Sequence, residues 1–548
     1  MGPVNIDVMR SLPEYITKHA RKKPDQVAMV QFDRRVTYKE FDEKTDTIAK
    51  NFLKIGLQRG DVISTLITMS IEQMFIQYAA QKIGCAVVTM DLRYKTKELV
   101  ELWNISKPRV VVFIGDTGEK KITGIVENAM AECPGVERWY QFMGEPVGGT
   151  MPYSELLVDP GGEWDARLAV ARQSVDPGDT ALVIFTTGST GRPKGALLTH
   201  ENIMHSCRIE AREFHAVEDD VILVNLPPSH VGGQTEQSLT MFCAGGKAVL
   251  IPMFDARKTL EQIQKERVTL FGQIPAQYFL EWRLPDYDQF DLSSLRMVVY
   301  GGSMVPAEFI KKLKEMAPVA ATGMGLTEVS GFCTFSDVSP DADPEQLYNN
   351  VGKPPAEIAL RICDPTAAPG TMGAEVPRGE VGEACYSGPV VMKGYLNDPE
   401  ATALALVKDD AGTTWLRSGD LGILDGNGNL VPKGRTKWQF KSRGYLINSS
   451  EIEEFLSMHE KIRDAVVVGV PHSIYGYVPY YFVVPADGRT SSITEAEIHE
   501  HAKELASYKR PAAIEIRPYF PLNRVNKTDV AKLRQKAFKT WDKIRDDK

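Results

Sequence analysis

Short runs of β-branched and aromatic residues recur along this chain, with longer stretches of helical periodicity between them. PRVVVFI at 108–114, ALVIF at 181–185, AVLI at 248–251 and LRMVVY at 295–300 read as strands, while 71–82 and 306–316 read as amphipathic helices. Strands separated by helices are joined by crossovers rather than tight hairpins, which predicts an α/β class with largely parallel sheets. From about 350 to 434 the pattern changes. Short apolar runs broken by Gly, Pro and Asp, as in GEVGEACYSGPVVMKGYLNDP, predict a small β-rich, barrel-like subdomain. The remainder reads helix (450–458), strand (465–470), strand (480–484), helix (494–505), strand (513–517), a compact α+β unit.

Composition narrows the function classes. With 548 residues, 43% of them hydrophobic, the chain can bury several cores. No apolar run approaches the roughly 18 residues that would span a bilayer, and the amino terminus lacks the basic-then-apolar order of a secretory signal, so the expected location is the cytoplasm. The seven cysteines are scattered without a CxxC pair or metal-ligand spacing, which disfavours a disulfide scaffold or zinc site. A net charge of -8 disfavours nucleic-acid partners. The charge is uneven: from Lys437 onward 19 Lys and Arg face 15 Asp and Glu, so this segment is +4 and the rest -12. That division is compatible with an anionic ligand held between the two parts and equally with unselected surface composition.

The segment TALVIFTTGSTGRPKGALLTHENI at 180–203 carries the clearest chemistry. An apolar strand runs into Thr186, Thr187, Gly188, Ser189, Thr190, Gly191, Arg192, Pro193, Lys194 and Gly195, followed by a second apolar run and a helix. Glycines allow close backbone approach, hydroxyl and N–H groups donate to phosphate oxygens, and Lys194 adds a point charge. No GxxxxGK[ST] pattern passes through it, so this is a phosphate cradle of a different kind from the Walker loop.

This loop resembles the signature of the adenylate-forming superfamily, which includes acyl- and aryl-CoA synthetases, amino-acid-adenylating domains of peptide synthetases and beetle luciferases. Other matches follow in family order: TYKEF at 37–41, LPPSHVGG at 226–233, YGGS at 300–303, TGMGLTE at 322–328, VGKP at 351–354, VMKGY at 391–395, RSGDLG at 417–422, GRTK at 434–437 and PLNRVNK at 521–527. The resemblance implies a two-step reaction, in which a carboxylate attacks the α-phosphorus of ATP with loss of pyrophosphate and the acyl-adenylate then acylates a thiol. Positioning and charge neutralisation supply most of the catalysis in such a reaction.

On this resemblance Thr186, Thr187, Gly188, Ser189, Thr190 and Lys194 hold the β- and γ-phosphates. Thr327 touches the α-phosphate, Glu328 ligates Mg²⁺, and Gly301, Gly302, Ser303, Met324 and Gly325 flank the adenine. Asp420 accepts from the ribose hydroxyls with Arg435 beside it, and Lys527 bridges the carboxylate and the α-phosphate. The implied domains are a large body, 1–436, and a small mobile lid, 437–548, hinged near Lys437, whose rotation admits CoA past Arg443 and Gly444. Three positions depart from the pattern: Met324 replaces an aromatic residue, Arg443 the first glycine of a pair, and Asn526 the glycine before the final lysine.

The acyl side is outlined by His230, Val231, Gly232, Gly233, Met304 and Val329. His230 reads either as a gate or as a satisfied buried histidine. With no carboxylate between His230 and Thr235, and small or apolar residues elsewhere, the pocket is expected to take an acid uncharged beyond its carboxylate, a cyclic, aromatic or medium-chain acid rather than acetate or an amino acid. The expected activity is therefore an AMP-forming carboxylate–CoA ligase using ATP, Mg²⁺ and CoA, with no membrane span and with a homodimer allowed. Two alternatives remain: an adenylating enzyme whose acceptor is a carrier protein, and a noncatalytic nucleotide or CoA sensor. The retained Lys194, Glu328, Asp420 and Lys527 weigh against the sensor.

Overall fold

The computed structural model describes residues 6–118, 121–187, 193–302, 305–436, 439–442, 445–472, 475–523 and 527–544. Two large mixed sheets carry the first part of the chain. One has seven strands in the order Val319–Thr322, Met297–Tyr300, Leu270–Gln273, Val221–Val224, Lys247–Leu250, Val27–Gln31 and Arg34–Thr37, all parallel except the last. The other has eight, and its middle strands Thr180–Thr187, Ala86–Thr89, Val62–Leu66, Val110–Phe113 and Arg138–Gln141 are parallel. Thr180–Thr187 also pairs antiparallel with Pro193–Thr199, so the glycine-rich segment connects a β-hairpin before the helix His200–Glu213 begins. Thr199 and Asn202 cap that helix reciprocally.

The helix Ile71–Lys82, expected to be amphipathic, is buried on every side because it is wedged between layers. Its polar side chains find partners there. Glu72 accepts from Arg34 at 2.6 Å, Gln77 bonds Gln234 at 3.0 Å, Gln81 donates to the Ala181 carbonyl, and Lys82 pairs with Asp42 at 2.6 Å and with Asp46. The element TYKEF proves to be a helix start remote from any chemistry, Thr37 and Glu40 forming the capping box of Tyr38–Lys54.

A separate antiparallel sheet is built from Ala359–Cys363, Gly382–Ser387, Thr414–Leu424, Leu406–Lys408 and Leu430–Arg435. The last sheet joins Tyr445–Asn448, Gln439–Ser442, Gly476–Pro485 and Ile462–His472, with Ala513–Ile516 added in parallel. Its two faces bury distinct clusters, one around Ile447, Ile452, Tyr481 and Ile498, the other around Val468, Phe482, Leu533 and Trp541 on the closing helix Val530–Ile544. Both helices and all three strands read from sequence in this region are present, the second helix ending at His501 and passing into a short 3-10 turn; the strands Gln439–Ser442 and Tyr445–Asn448 and the closing helix are additional.

Candidate active site

A cleft of about 2660 Å³ opens at the carboxyl ends of the parallel strands, where backbone N–H groups and loops are free to meet a ligand. In the seven-stranded sheet the strand Val221–Val224 has Lys247–Leu250 on one side and Leu270–Gln273 on the other, so the connections diverge at this point. The segments following these strands line the cleft: Asn225 to Val231, Gln273 and Ile274, Gly301 and Gly302, and Thr322 to Glu328. Thr186 and Lys194 enter from the hairpin of the other sheet.

Around Glu328 the arrangement is polar and tight. The Tyr395 hydroxyl donates to Glu328 Oε1 at 2.9 Å, and Lys194 Nζ sits 5.2 Å from the centre of the Tyr395 ring. Burial and then the Glu328 charge push the Tyr395 phenol above its ordinary range, so it remains a donor. Among the described residues no three His, Cys, Asp or Glu side chains could hold a metal by themselves. A single carboxylate, Glu328, with the cation Lys194 near its partner Tyr395, would suit a Mg²⁺ that a phosphate ligand brings with it.

Asp420 and Arg435 are paired positions on neighbouring strands and form an ion pair at 2.6 Å. The irregularity in the strand just before Asp420, where Gly419 has φ +74°, is held from behind, since Arg417 binds Glu383 at 2.7 Å and Gly419 N–H donates to Glu383 Oε1 at 2.9 Å.

Lys527 comes from the carboxy-terminal unit yet enters this cleft. Its N–H donates to Asn523 Oδ1 at 3.0 Å, and its carbonyl accepts from Asn523 N–H at 2.7 Å, closing the turn that presents the side chain. A Cβ placed on Gly302 would lie 3.1 Å from Lys527 Nζ. The ammonium is lowered from the usual lysine range, first by loss of water and then by Arg435, while Glu236 and Asp420 oppose the shift. The side chain nevertheless keeps solvent contact along the open cleft.

His230 is neutral: burial, then Lys527 and Arg93, push its imidazole down to about 4. Its Nδ1 accepts from Gly232 N–H at 2.9 Å, which leaves the proton on Nε2. Gly232 and Gly233 begin a π-helix, Gly232–Leu239, rather than lying in a loop. A Cβ on Gly233 would meet the carbonyl oxygens of Leu226 and Pro227 at 2.6 Å, so only glycine lets this turn pack. Val231 lines the cleft, whereas Val329 is fully buried in the core and does not, because Ser330 adopts a left-handed conformation that turns the chain inward. Met324 lines the cleft, its N–H donating to Thr334 Oγ1 at 2.9 Å. Gly188, Ser189, Thr190, Ser303, Met304, Lys437, Arg443 and Gly444 lie outside the described residues, as does the Thr187 side chain.

The part of the cleft around His230 and Gly232 is not the carboxylate-free pocket expected from sequence. Glu236 lines the cleft, with its carboxyl 3.1 Å from a Cβ placed on Gly325 and 3.3 Å from one placed on Gly232. Glu210 lies behind it, held by Phe332 N–H at 3.0 Å, Thr240 Oγ1 at 3.0 Å and Ser206 Oγ at 3.2 Å. Burial raises both carboxyls above the ordinary range, with Glu236 adding to the shift at Glu210 and Lys527 opposing it at Glu236. Read as a loop ending at Gly233, the LPPSHVGG segment leaves Glu236 outside the pocket; a helix starting at Gly232 sets position 236 about one turn on, beside Gly232. Tyr395 was within reach of sequence reasoning, since it ends the VMKGY motif.

The AMP-binding enzyme family matches residues 16–396, and its C-terminal domain matches residues 451–527. The chain belongs to the AMP-binding enzyme family. This AMP-binding enzyme is 30% identical over 527 residues to an indoleacetate–CoA ligase of Aromatoleum aromaticum, covering 95% of this chain and 98% of the relative. It is 29% identical over 536 residues to a Mycobacterium tuberculosis ligase named for a 7a-methyl-1,5-dioxo-octahydro-indenyl propanoyl-CoA, covering 97% and 99%. In fold it is similar to the anthranilate CoA ligase AuaEII solved with anthranoyl-AMP, with a TM-score of 0.80, 20% identity and coverage of 97% and 98%. No described helix of this AMP-binding enzyme is long and apolar enough to cross a membrane.

Proposed function

We propose that this AMP-binding enzyme is an AMP-forming carboxylate–CoA ligase whose substrate is a cyclic, aromatic or medium-chain acid. The observation that carries the reading is the entry of Lys527 into the cleft that Thr327, Glu328, Asp420 and Arg435 also line. A substrate carboxylate oxygen attacks the α-phosphorus of ATP, the bond to the β-phosphate oxygen breaks, and pyrophosphate leaves. Lys527 neutralises the charge shared by the attacking carboxylate and the α-phosphate, Lys194 and Thr186 hold the departing phosphates, and Asp420 with Arg435 fixes the ribose. When bound at Glu328, Mg²⁺ supplies charge neutralisation across the phosphates. The His230 Nε2–H donates to the carboxylate and keeps it oriented.

In the second step the CoA sulfur attacks the acyl carbonyl carbon and AMP leaves. The lid, 437–548, rotates about Lys437 between the two steps and removes Lys527 from the cleft, while Arg443 and Gly444 border the path for CoA. The relatives named for indoleacetate and for a bicyclic propanoate support a ring-bearing substrate. The test is acid-dependent pyrophosphate release from ATP over a panel of acids, with thioester formation followed on CoA. Adenylation without transfer to CoA favours a carrier-protein acceptor, and no pyrophosphate with any acid favours a sensor. Sedimentation of the purified chain decides between a monomer and a homodimer.

A further inference from the structure

The cleft contains two polar acceptors that the adenylation chemistry does not use. Among the described residues Glu236 accepts no hydrogen bond, and the one group of opposite sign acting on it is Lys527, which the reaction itself requires. Asn225 is 4% exposed and lines the same cleft. Its amide nitrogen donates to Gln273 Oε1 at 2.8 Å, but its Oδ1 has no partner among the described residues. The two lie in adjoining segments, since Leu226 N–H donates to Gln237 Oε1 at 3.4 Å and Gly233 packs against the Leu226 carbonyl.

Asn225 Oδ1 is buried without a partner among the described residues, and filling the cleft with hydrocarbon alone would also strip water from the partly buried Glu236 carboxyl without replacing it. The surroundings also hold Glu236 in place. Gly325 and Gly232 leave no side chain between its carboxyl and the cleft, and Glu210 is fixed behind it by three donors. A carboxyl group accepts a hydrogen bond in either protonation state, so the complementary ligand group is a donor.

We propose that Glu236, together with Asn225, selects a carboxylic acid whose ring or chain carries a hydroxyl or N–H group over the corresponding unsubstituted acid. The proposal rests on the ligase reading above and narrows its substrate class. A site built to hydrogen-bond a substrate group discriminates strongly against an analogue lacking it, because the site's own polar atoms are then left unpaired.

The experiment compares 3-phenylpropanoate with its 2-, 3- and 4-hydroxy and amino derivatives on the wild type, Glu236→Gln and Glu236→Leu. Pyrophosphate release gives kcat/KM, and titration calorimetry gives the affinity of each acid in parallel. At least one hydroxy or amino isomer should exceed the parent acid by about 100-fold on the wild type. Glu236→Leu should reduce that ratio to about threefold or less and improve the parent acid, while Glu236→Gln, whose amide oxygen still accepts, should retain part of it. Melting temperatures establish that each variant is folded, with Glu236→Gln as the isosteric fallback. A wild type that handles the parent acid as well as every derivative, or an unchanged ratio in Glu236→Leu, overturns the proposal. Acid binding with the expected ratio but without pyrophosphate release from any acid overturns the ligase reading and leaves the role of Glu236 standing.

Discussion

Lys527 rests against Gly302: a Cβ at residue 302 would come within 2.9 Å of the lysine Cε and 3.1 Å of its Nζ, and Gly302 itself has φ +89°. The turn after the strand Met297–Tyr300 thus leaves a slot that a lysine from the other end of the chain occupies. Both a side chain and the strain of positive φ oppose substitution there. Gly302→Val should lower acid-dependent pyrophosphate release about 100-fold, with thioester formation from a supplied acyl-adenylate much less affected.

Lys527→Ala should show the same division between the half-reactions without the backbone strain. Because the Lys527 ammonium lies below the usual lysine range and acts in its protonated form, the alkaline limb of the wild-type adenylation profile should fall below the ordinary value of about 10.4. An alkaline limb at the ordinary lysine position, or equal loss of both half-reactions in Lys527→Ala, counts against the role assigned to this residue.

Tyr395→Phe removes the hydroxyl that donates to Glu328 and leaves the ring beneath Lys194. The hydroxyl orients the carboxylate that would hold the metal, and loss of such an orienting partner typically costs about 10- to 100-fold in metal affinity, so the apparent affinity for Mg²⁺ in adenylation should weaken by about that factor. Titrating Mg²⁺ at fixed ATP reads this directly, and thermal stability should change little.

Lys82 is a stability determinant remote from the cleft. Its side chain is 1% exposed and pairs with Asp42 and Asp46. Removing one partner of a buried ion pair usually costs about 3 to 5 kcal/mol. Here Thr17 still donates to Asp42 at 2.8 Å and Arg172 still contacts Asp46, so Lys82→Ala should fall near the lower end, read from the urea midpoint.

Glu210 gives stability a pH dependence. Its folded carboxyl is raised well above the unfolded one, so between the ordinary carboxylate range and that raised value the folded state holds a proton the unfolded state has released. Stability from this group is present at low pH and declines as pH rises through that window. Glu210→Gln should flatten the decline between about pH 5 and 8 in unfolding titrations. An identical pH slope in the variant would show that the carboxyl is ionised in the fold.

Several residues that line the cleft could be picked out in the chain because their motifs are local. Lys194, Thr327, Glu328 and Asp420 each stand in a short motif whose spacing is kept within a single turn or strand end, so contiguous residues carry the pattern. The alternation of apolar runs likewise specified the parallel strands, since a strand's period and length are properties of the segment itself. Other features depended on distant contacts. The helix Ile71–Lys82 has a polar face by sequence, and only the layers packed over it turn Glu72, Gln77 and Lys82 into buried, paired groups. Val329 left the cleft because the left-handed turn at Ser330 and its Oγ donation to the Val390 carbonyl draw it into the core. Glu236 entered because a helix rather than a loop begins at Gly232 and sets position 236 one turn on, and its acceptor role depends on Gly325 and Glu210, which lie 89 residues after it and 26 before it in the chain. Periodicity reports what a segment can bury, but the identity of the partner across the interface, which decides whether a carboxyl is solvated, paired or left to meet a substrate, exists only once the chain has folded.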